Sequence, residues 1–229
     1  MVVGLIRYLV AKPRRVGADE LLVRAGEQLE SSLLLLDGWL LRSKDLSSGE
    51  RQVLGIHVAG DFADLHGYSL KRLDHDVVSV SDCTIGIVPH ERLDRIVEQH
   101  PGLTRTYWLT TNIDASIGRE LALSLGRRPA ISRMAHLFCE LHVRLSIVGK
   151  TRGNAFNFPL TQRELSECLG LTVVHVNRTL QELRRRALVE AEKGLVTILD
   201  KQRLEALADF DPADQRTTGR VERFTKRFG

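Results

Sequence analysis

Cysteine is scarce in this chain. Cys83, Cys139 and Cys168 are the only three among 229 residues. They lie far apart, and no Cys-x-x-Cys or mixed Cys/His spacing joins them. That excludes a zinc or iron–sulfur site built on cysteine and leaves buried or half-buried thiols in a reducing compartment as the expectation. Long apolar runs are missing too, and a stretch such as Leu33–Leu36 is far too short to cross a bilayer. No charged-then-apolar leader opens the sequence, although Met1–Val10 is mildly apolar, so a cytoplasmic protein with no membrane partner is expected. Catalytic groupings are absent as well. Asp64, Asp74 and Asp76 have no nucleophile or base beside them and read as turn and surface residues. His57, His66, His75 and His90 share no ligand spacing and read as surface or capping residues, with Trp39 and Trp108 as core or dimer residues. The expectation is no enzyme, no catalytic residue, no metal and no cofactor.

What is present is ordinary in bulk and uneven in detail. Hydrophobic residues make up 43% and charged residues 27%, as in a typical globular protein with one large core or two smaller ones. Thirty-three basic against 29 acidic residues give a net charge of +4. Such an excess is compatible with an anionic partner only if its distribution agrees. Much of it lies late, in Arg184-Arg185-Arg186 and between Arg216 and Arg227.

From Leu21 to Val88 short Val-, Leu- and Ile-rich segments alternate with glycine. They predict strands at Leu21–Arg24, Ser32–Leu36, Trp39–Lys44, Arg51–His57, Val77–Val80 and Thr84–Val88, in a sandwich, barrel or roll. Asp37-Gly38 offers the positive-φ residues of a tight hairpin. His90–His100 predicts a short helix. From Gly102 to Leu125 the pattern is helical, with one stripe at Leu103, Tyr107, Thr110, Asp114, Ile117, Leu121 and Ser124 and another at Leu109, Ile113 and Leu123. Two stripes call for two covers, the β-domain and a partner helix, and Asp114 is a flaw in that seam. Gly126-Arg127-Arg128-Pro129 then breaks the helix and predicts a hinge. Ile131–Val148 reads as a further amphipathic helix and Gly149–Asn154 as a polar loop. The resulting domains are 1–100, a β-rich sensor-like domain; 101–128, helix and hinge; 129–208, a winged helix-turn-helix; and 209–229, a flexible basic tail.

The segment from Leu160 to Leu199 carries the functional signal. Thr161-Gln162-Arg163-Glu164 is a capping box, with Leu160 and Leu165 placed as its hydrophobic staple. The helix it opens stops at Gly170. After Leu171, Thr172 caps a second helix over Val173–Arg186. Leu165, Leu169, Leu171, Val176 and Leu180 are spaced to fill the wedge between the two, and small Ser166 lets them approach. On the second helix Val176, Leu180 and Leu183 point inward. Val173, Val174, Asn177, Arg178 and Gln181 point away, and His175 stands near its start. Such a face suits a major groove, since arginine forks onto guanine, asparagine or glutamine pairs with adenine and valine meets thymine methyls. Leu188–Glu190 and Leu195–Leu199 predict a wing whose Lys193-Gly194 tip reaches the phosphate backbone. Thr161 and Thr172 complete the candidate DNA-binding set.

This order of parts, over about Leu21–Leu207, resembles the CRP/FNR family of bacterial transcription regulators. Its most specific matches are Gly60-Asp61-Phe62 and the stretch LTQRELSECLGLTVVHVNRTLQEL from Leu160 to Leu183. The resemblance implies an α+β fold: an N-terminal cyclic-nucleotide-binding-like β-roll (jelly roll), a long dimerisation helix and a C-terminal winged helix-turn-helix. It implies a homodimer through the 102–125 helix on double-stranded DNA, with a two-fold symmetric operator, and it leaves RNA polymerase open as a further partner. The family's base-reading positions fall on Val173, Val174, Asn177 and Arg178. Relatives usually carry glutamate where Val174 stands, which changes the expected half-site. Cyclic-nucleotide-binding relatives carry Gly-Glu-Leu and later Arg-Ser or Arg-Thr. Here Asp64-Leu65 replaces the first pair, and neither Lys71 nor Arg72 precedes a hydroxyl residue, so the phosphate clamp is missing and the effector is left unknown. The cysteine cluster of oxygen-sensing relatives is also absent. Two other readings stay open: a cyclic-nucleotide-responsive regulator, and a ligand-binding protein whose helix-turn-helix meets proteins.

Overall fold

Strand β3 (Ser31–Asp37) carries the leucine run, and its burial explains why four apolar residues stand in a row. Side chains alternate across a strand. Leu33 and Leu35 enter one core with Val16, Leu40, Val77 and Ile85; Leu34 enters a second with Leu65, Val88, Leu93 and Ile96. A strand covered on both faces has no use for polar alternation. The surrounding roll consists of two antiparallel sheets. One runs β1 (Pro13–Val16), β7 (Cys83–Pro89), β3; the other runs β2 (Leu21–Val23), β6 (Asp76–Ser79), β4 (Leu40–Asp45), β5 (Arg51–His57). A single helical turn, α1 (Gly67–Leu70), separates β5 from β6. All these strands but β1 answer to segments expected from the sequence. In β1 the proline and two arginines of an exposed edge hide the strand signal.

The computed structural model describes Val10 and residues 13–211. It divides into two compact units, the first holding described residues up to 116 except 50–53, the second holding those four and 117–211. The expected basic tail lies beyond the described residues from 212 onward.

Asp37-Gly38 does not make the expected hairpin. β3 pairs with β7, Leu33 facing Ile87, whereas β4 pairs with β6, Leu41 facing Val78. Gly38 therefore carries the chain from one sheet to the other. Its φ is +97°, and a Cβ there would stand 2.5 Å from the Cys83 sulfur and 2.6 Å from the Asp82 carbonyl oxygen, so only glycine fits the corner. The Gly60-Asp61-Phe62 motif is likewise architectural. The Asp61 carboxylate accepts from the Val58 amide at 2.8 Å, and the Gly60 amide donates to the Leu35 carbonyl at 2.8 Å.

Helix α2 (His90–Gln99) closes the second core, and α3 (Pro101–Arg127) follows. Leu103 and Tyr107 pack on that core, the Tyr107 ring standing edge-on to Phe62 with centroids 6.1 Å apart. Asp114 is no flaw in a helix–helix seam. It accepts two hydrogen bonds from the Arg42 guanidinium of β4, at 2.7 and 2.9 Å. Gly55 on β5 leaves room for this, since a Cβ there would lie 2.8 Å from an Arg42 Nη.

The surface assignment fails for Asp64, His57, His75 and His90, all of which are buried. Asp64 is turned into the roll, where one carboxylate oxygen accepts from the Leu33 amide at 2.6 Å. The other oxygen is enclosed without a partner. Burial pushes the carboxyl up to about 7. His90 Nε2 lies 3.3 Å from the Ser32 hydroxyl, and His75 Nδ1 lies 3.0 Å from the Asp74 carboxylate. Each ring thus brings its apolar body inside while one nitrogen keeps a polar neighbour. Among the described residues no group of three or more His, Cys, Asp or Glu is disposed to hold a metal ion. Trp39 is a core residue, whereas Trp108 is 73% exposed on α3.

The second unit is built on α4 (Ala130–Ile147), which buries Met134, Phe138, Leu141 and Leu145 as its sequence pattern requires. After it come β8 (Thr151–Arg152), β9 (Ala155–Asn157), α5 (Gln162–Leu169), α6 (Val173–Arg185), β10 (Val189–Glu192), β11 (Leu195–Ile198) and α7 (Lys201–Ala208). The stretch expected to be a polar loop, Gly149–Asn154, holds β8 and the turn into β9, and the β8–β9 hairpin extends the wing to a sheet ordered β10–β11–β9–β8. Asp200 caps α7 by accepting from the Arg203 amide at 3.0 Å. Among the described residues no helix is long and apolar enough to cross a membrane.

Candidate nucleic-acid interface

The first helix of the motif is set by its cap. The Glu164 amide donates to the Thr161 hydroxyl oxygen at 3.2 Å, and the Thr161 amide donates to the Glu164 carboxylate at 2.6 Å. Both bonds of a capping box are present. The Thr161 hydroxyl also donates to that carboxylate at 2.7 Å, so it is spent within the cap. Leu160 and Leu165 are buried on either side as the staple. Gly170 ends α5 in the left-handed region at φ +59°, and the Leu171 amide returns to the Ser166 carbonyl at 3.0 Å. Thr172 then caps α6, accepting from the His175 amide at 3.2 Å. The Gly170 C-cap and the Thr172 N-cap fix the three-residue turn between the helices.

Helix α6 has the two faces its spacing predicts. Val176, Thr179, Leu180 and Leu183 are buried. Thr179 was not foreseen; its hydroxyl donates to the His175 carbonyl at 2.8 Å, which removes the cost of burying it. Val173, Val174, His175, Asn177, Arg178 and Gln181 are all exposed, together with Thr172. Val174 leaves 69% of its surface to solvent, and Val173 beside it 40%. At the wing tip Lys193 and Gly194 take φ +49° and +75°, the positive-φ pair of a tight hairpin, and Lys193 is exposed. An open cleft of about 540 Å³ runs between the start of α4 and α6, lined by Ala130, Ile131, His175, Arg178 and Gln181 among others.

The arginine run at the end of α6 is used inside the chain. Arg185 and Arg186 both donate to Glu182, at 2.7–2.8 Å, and hold its carboxylate at about 2. Arg184 donates to the Ala191 carbonyl of the wing. These cations anchor the helix end and the hairpin. Arg178 and Lys193 form no ion pair with any described residue.

In the β-roll the cations near the family's phosphate-clamp position are also engaged. Arg72 donates to the Gly26 carbonyl at 2.7 Å. Lys71 lies over the Tyr68 ring, 4.9 Å from its centre.

A capped helix-turn-helix with a wing, joined by a long helix to a β-roll, defines a DNA-binding transcription regulator. Two family models match the chain: a cyclic nucleotide-binding domain over residues 13–100 and a Crp-like helix-turn-helix domain over residues 132–207. The transcriptional activator protein FnrA of Stutzerimonas stutzeri is 28% identical over 200 residues, covering 87% of this chain and 82% of that protein. The nitrogen fixation regulation protein FixK of Bradyrhizobium diazoefficiens is 28% identical over 175 residues, covering 76% of this chain and 72% of that one. The solved structure of FixK2 from Bradyrhizobium japonicum superposes with a TM-score of 0.79 at 24% identity, over 87% of this chain and 98% of that one. The chain belongs to the CRP/FNR family of transcription regulators.

Proposed function

We propose that the protein is a homodimeric, cytoplasmic regulator that reads a two-fold symmetric operator through α6. The carrying observation is the division of that helix, with Val173, Val174, Asn177, Arg178 and Gln181 outside and Val176, Leu180 and Leu183 inside. Exposed valine methyls beside an arginine with no ion pair match thymine methyls and a guanine edge. Lys193 and the Thr172 hydroxyl hold phosphates and set the register. The dimer is argued from α3, whose 27 residues fully bury only Ser124. A helix with Leu109, Ile113, Ile117 and Leu121 half-buried and Trp108 exposed calls for a cover, and a second copy of the same helix supplies it.

The effector, on this reading, is not a cyclic nucleotide. Asp64 is enclosed, Arg72 is committed to a backbone carbonyl and Lys71 to a ring. No arginine fork is left for a cyclic phosphate at the family's position. Selection of bound sequences from random duplexes tests the main claim. The expected product is an inverted repeat with half-site centres about one helical turn apart. Enrichment of a single unpaired motif would contradict the dimer, and no enrichment at all would contradict sequence reading. Calorimetry with cyclic AMP and cyclic GMP tests the effector statement, and micromolar binding of either would refute it.

A further inference from the structure

Arg133, near the start of α4, spends its guanidinium on three backbone carbonyls. One terminal nitrogen donates to Leu169, the last residue of α5. The other donates to Leu125 at 3.1 Å and to Arg128 at 3.2 Å. Leu125 lies in the last turn of α3 and Leu169 ends α5, where carbonyls lack intrahelical partners and the dipole is negative. A single cation therefore ties the end of the long helix to the end of the first helix of the DNA-binding motif. The joint is close on its other side as well. A Cβ on Gly170 would meet Leu125 Cδ2 at 3.1 Å and the Arg133 Nη1 at 3.6 Å. The elbow between α3 and α4 is braced too, since Arg128 donates to the Ser124 hydroxyl at 2.8 Å and to the Glu120 carboxylate at 3.0 Å.

We propose that Arg133 is a positioning residue that fixes the angle between the long helix and the helix-turn-helix, and so selects the spacing of operator half-sites. The inference rests on the dimeric reading above. Arginine suits the task because its donors form a rigid planar fork, so three acceptors from two segments are held in one orientation. Lysine offers one small ammonium on a flexible stem. With the fork in place, rotation of the α3 end is carried to the Gly170 turn and is not absorbed at Gly126–Pro129. The Arg133 guanidinium is spent on the carbonyls of Leu125, Arg128 and Leu169, so its effect on DNA runs through geometry.

The test uses full-length protein and duplexes bearing two selected half-sites at the preferred spacing, or moved by one or two base pairs, with a single half-site duplex as reference. The wild type favours one spacing. Arg133→Met is expected to bind the single half-site as the wild type does while its spacing preference shrinks by about tenfold, within the range reported for residues that couple two sites. Arg133→Lys should fall between the two. A folded Arg133→Met with an unchanged spacing preference would overturn the proposal, as would a loss equal on every duplex, which marks a purely structural role. If Arg133→Met shows no cooperative melt, Arg133→Lys decides by the same comparison. A wild type indifferent to spacing would instead overturn the dimeric reading, and this inference with it.

Discussion

The ion pair between Arg42 and Asp114 gives a prediction whose size follows from exposure. The Arg42 side chain is 10% exposed and that of Asp114 is 32% exposed. Arginine cannot escape burial by losing its proton. Asp114→Ala therefore leaves a charge in a place that admits little water. Breaking a wholly buried pair costs about 3–5 kcal/mol. Asp114 is a third exposed, so solvent replaces part of what is lost and about 2–3 kcal/mol is expected here. Arg42→Met leaves a carboxylate that water can reach, and should cost about 1 kcal/mol. The double variant Arg42→Met, Asp114→Leu removes both charges and should recover most of the loss, because apolar replacement of a buried pair is often neutral. Urea unfolding followed by tryptophan fluorescence reads the correct half of the molecule, since Trp39 and Trp108 are the chain's two tryptophans and both lie in the first unit. An Asp114→Ala protein within about 0.5 kcal/mol of wild type, the range of ordinary surface substitutions, would refute the reasoning. So would a double variant no more stable than Asp114→Ala.

Asp64 predicts an unusual dependence on pH. Its carboxyl is raised from 3.8 to about 7 in the folded chain, so folding holds a proton that the unfolded chain releases. The associated stability is present below pH 4 and is lost as pH rises through 7, by at most about 4 kcal/mol. Asp64→Asn, which keeps an acceptor for the Leu33 amide, should flatten that slope when urea midpoints are compared from pH 4 to 8; an unchanged slope would contradict the burial argument. Loss of the capping box by Thr161→Ala should lower stability by about 1 kcal/mol, read from the same titration followed by circular dichroism. Thr161→Ser should restore it, and equal midpoints for all three proteins would show that the cap is not what holds α5.

The DNA-binding motif was legible because its determinants are local. A cap and its partner lie three residues apart at Thr161 and Glu164, Gly170 marks the stop, and the spacing of Val176, Leu180 and Leu183 assigns the inner face of α6. The roll was legible as strands but not as pairings. A glycine after aspartate looks the same whether it turns a hairpin or, like Gly38, moves the chain between sheets. Its role depends on Cys83, far along the sequence. Asp114 paired with Arg42 was unreadable for the same reason, as the partners are 72 residues apart. Asp64 and the buried histidines look polar in sequence because their burial is imposed by the surrounding leucines and valines of other strands. Arg133 gave no signal at all, since its partners are backbone carbonyls, which every residue carries. β1 and α7 were missed because short elements stabilised by one edge or one cap lack a clear period.

The most direct test is the affinity of wild type and Arg178→Ala for the selected operator and for unrelated duplex, each measured across a range of salt. The substitution should weaken operator binding by about 1–3 kcal/mol, relax the base preference at one position in each half-site and leave dimerisation and melting temperature unchanged. Equal operator affinity for the two proteins, or wild-type binding that ignores sequence at every salt concentration, would contradict the assignment of α6 as the reading surface.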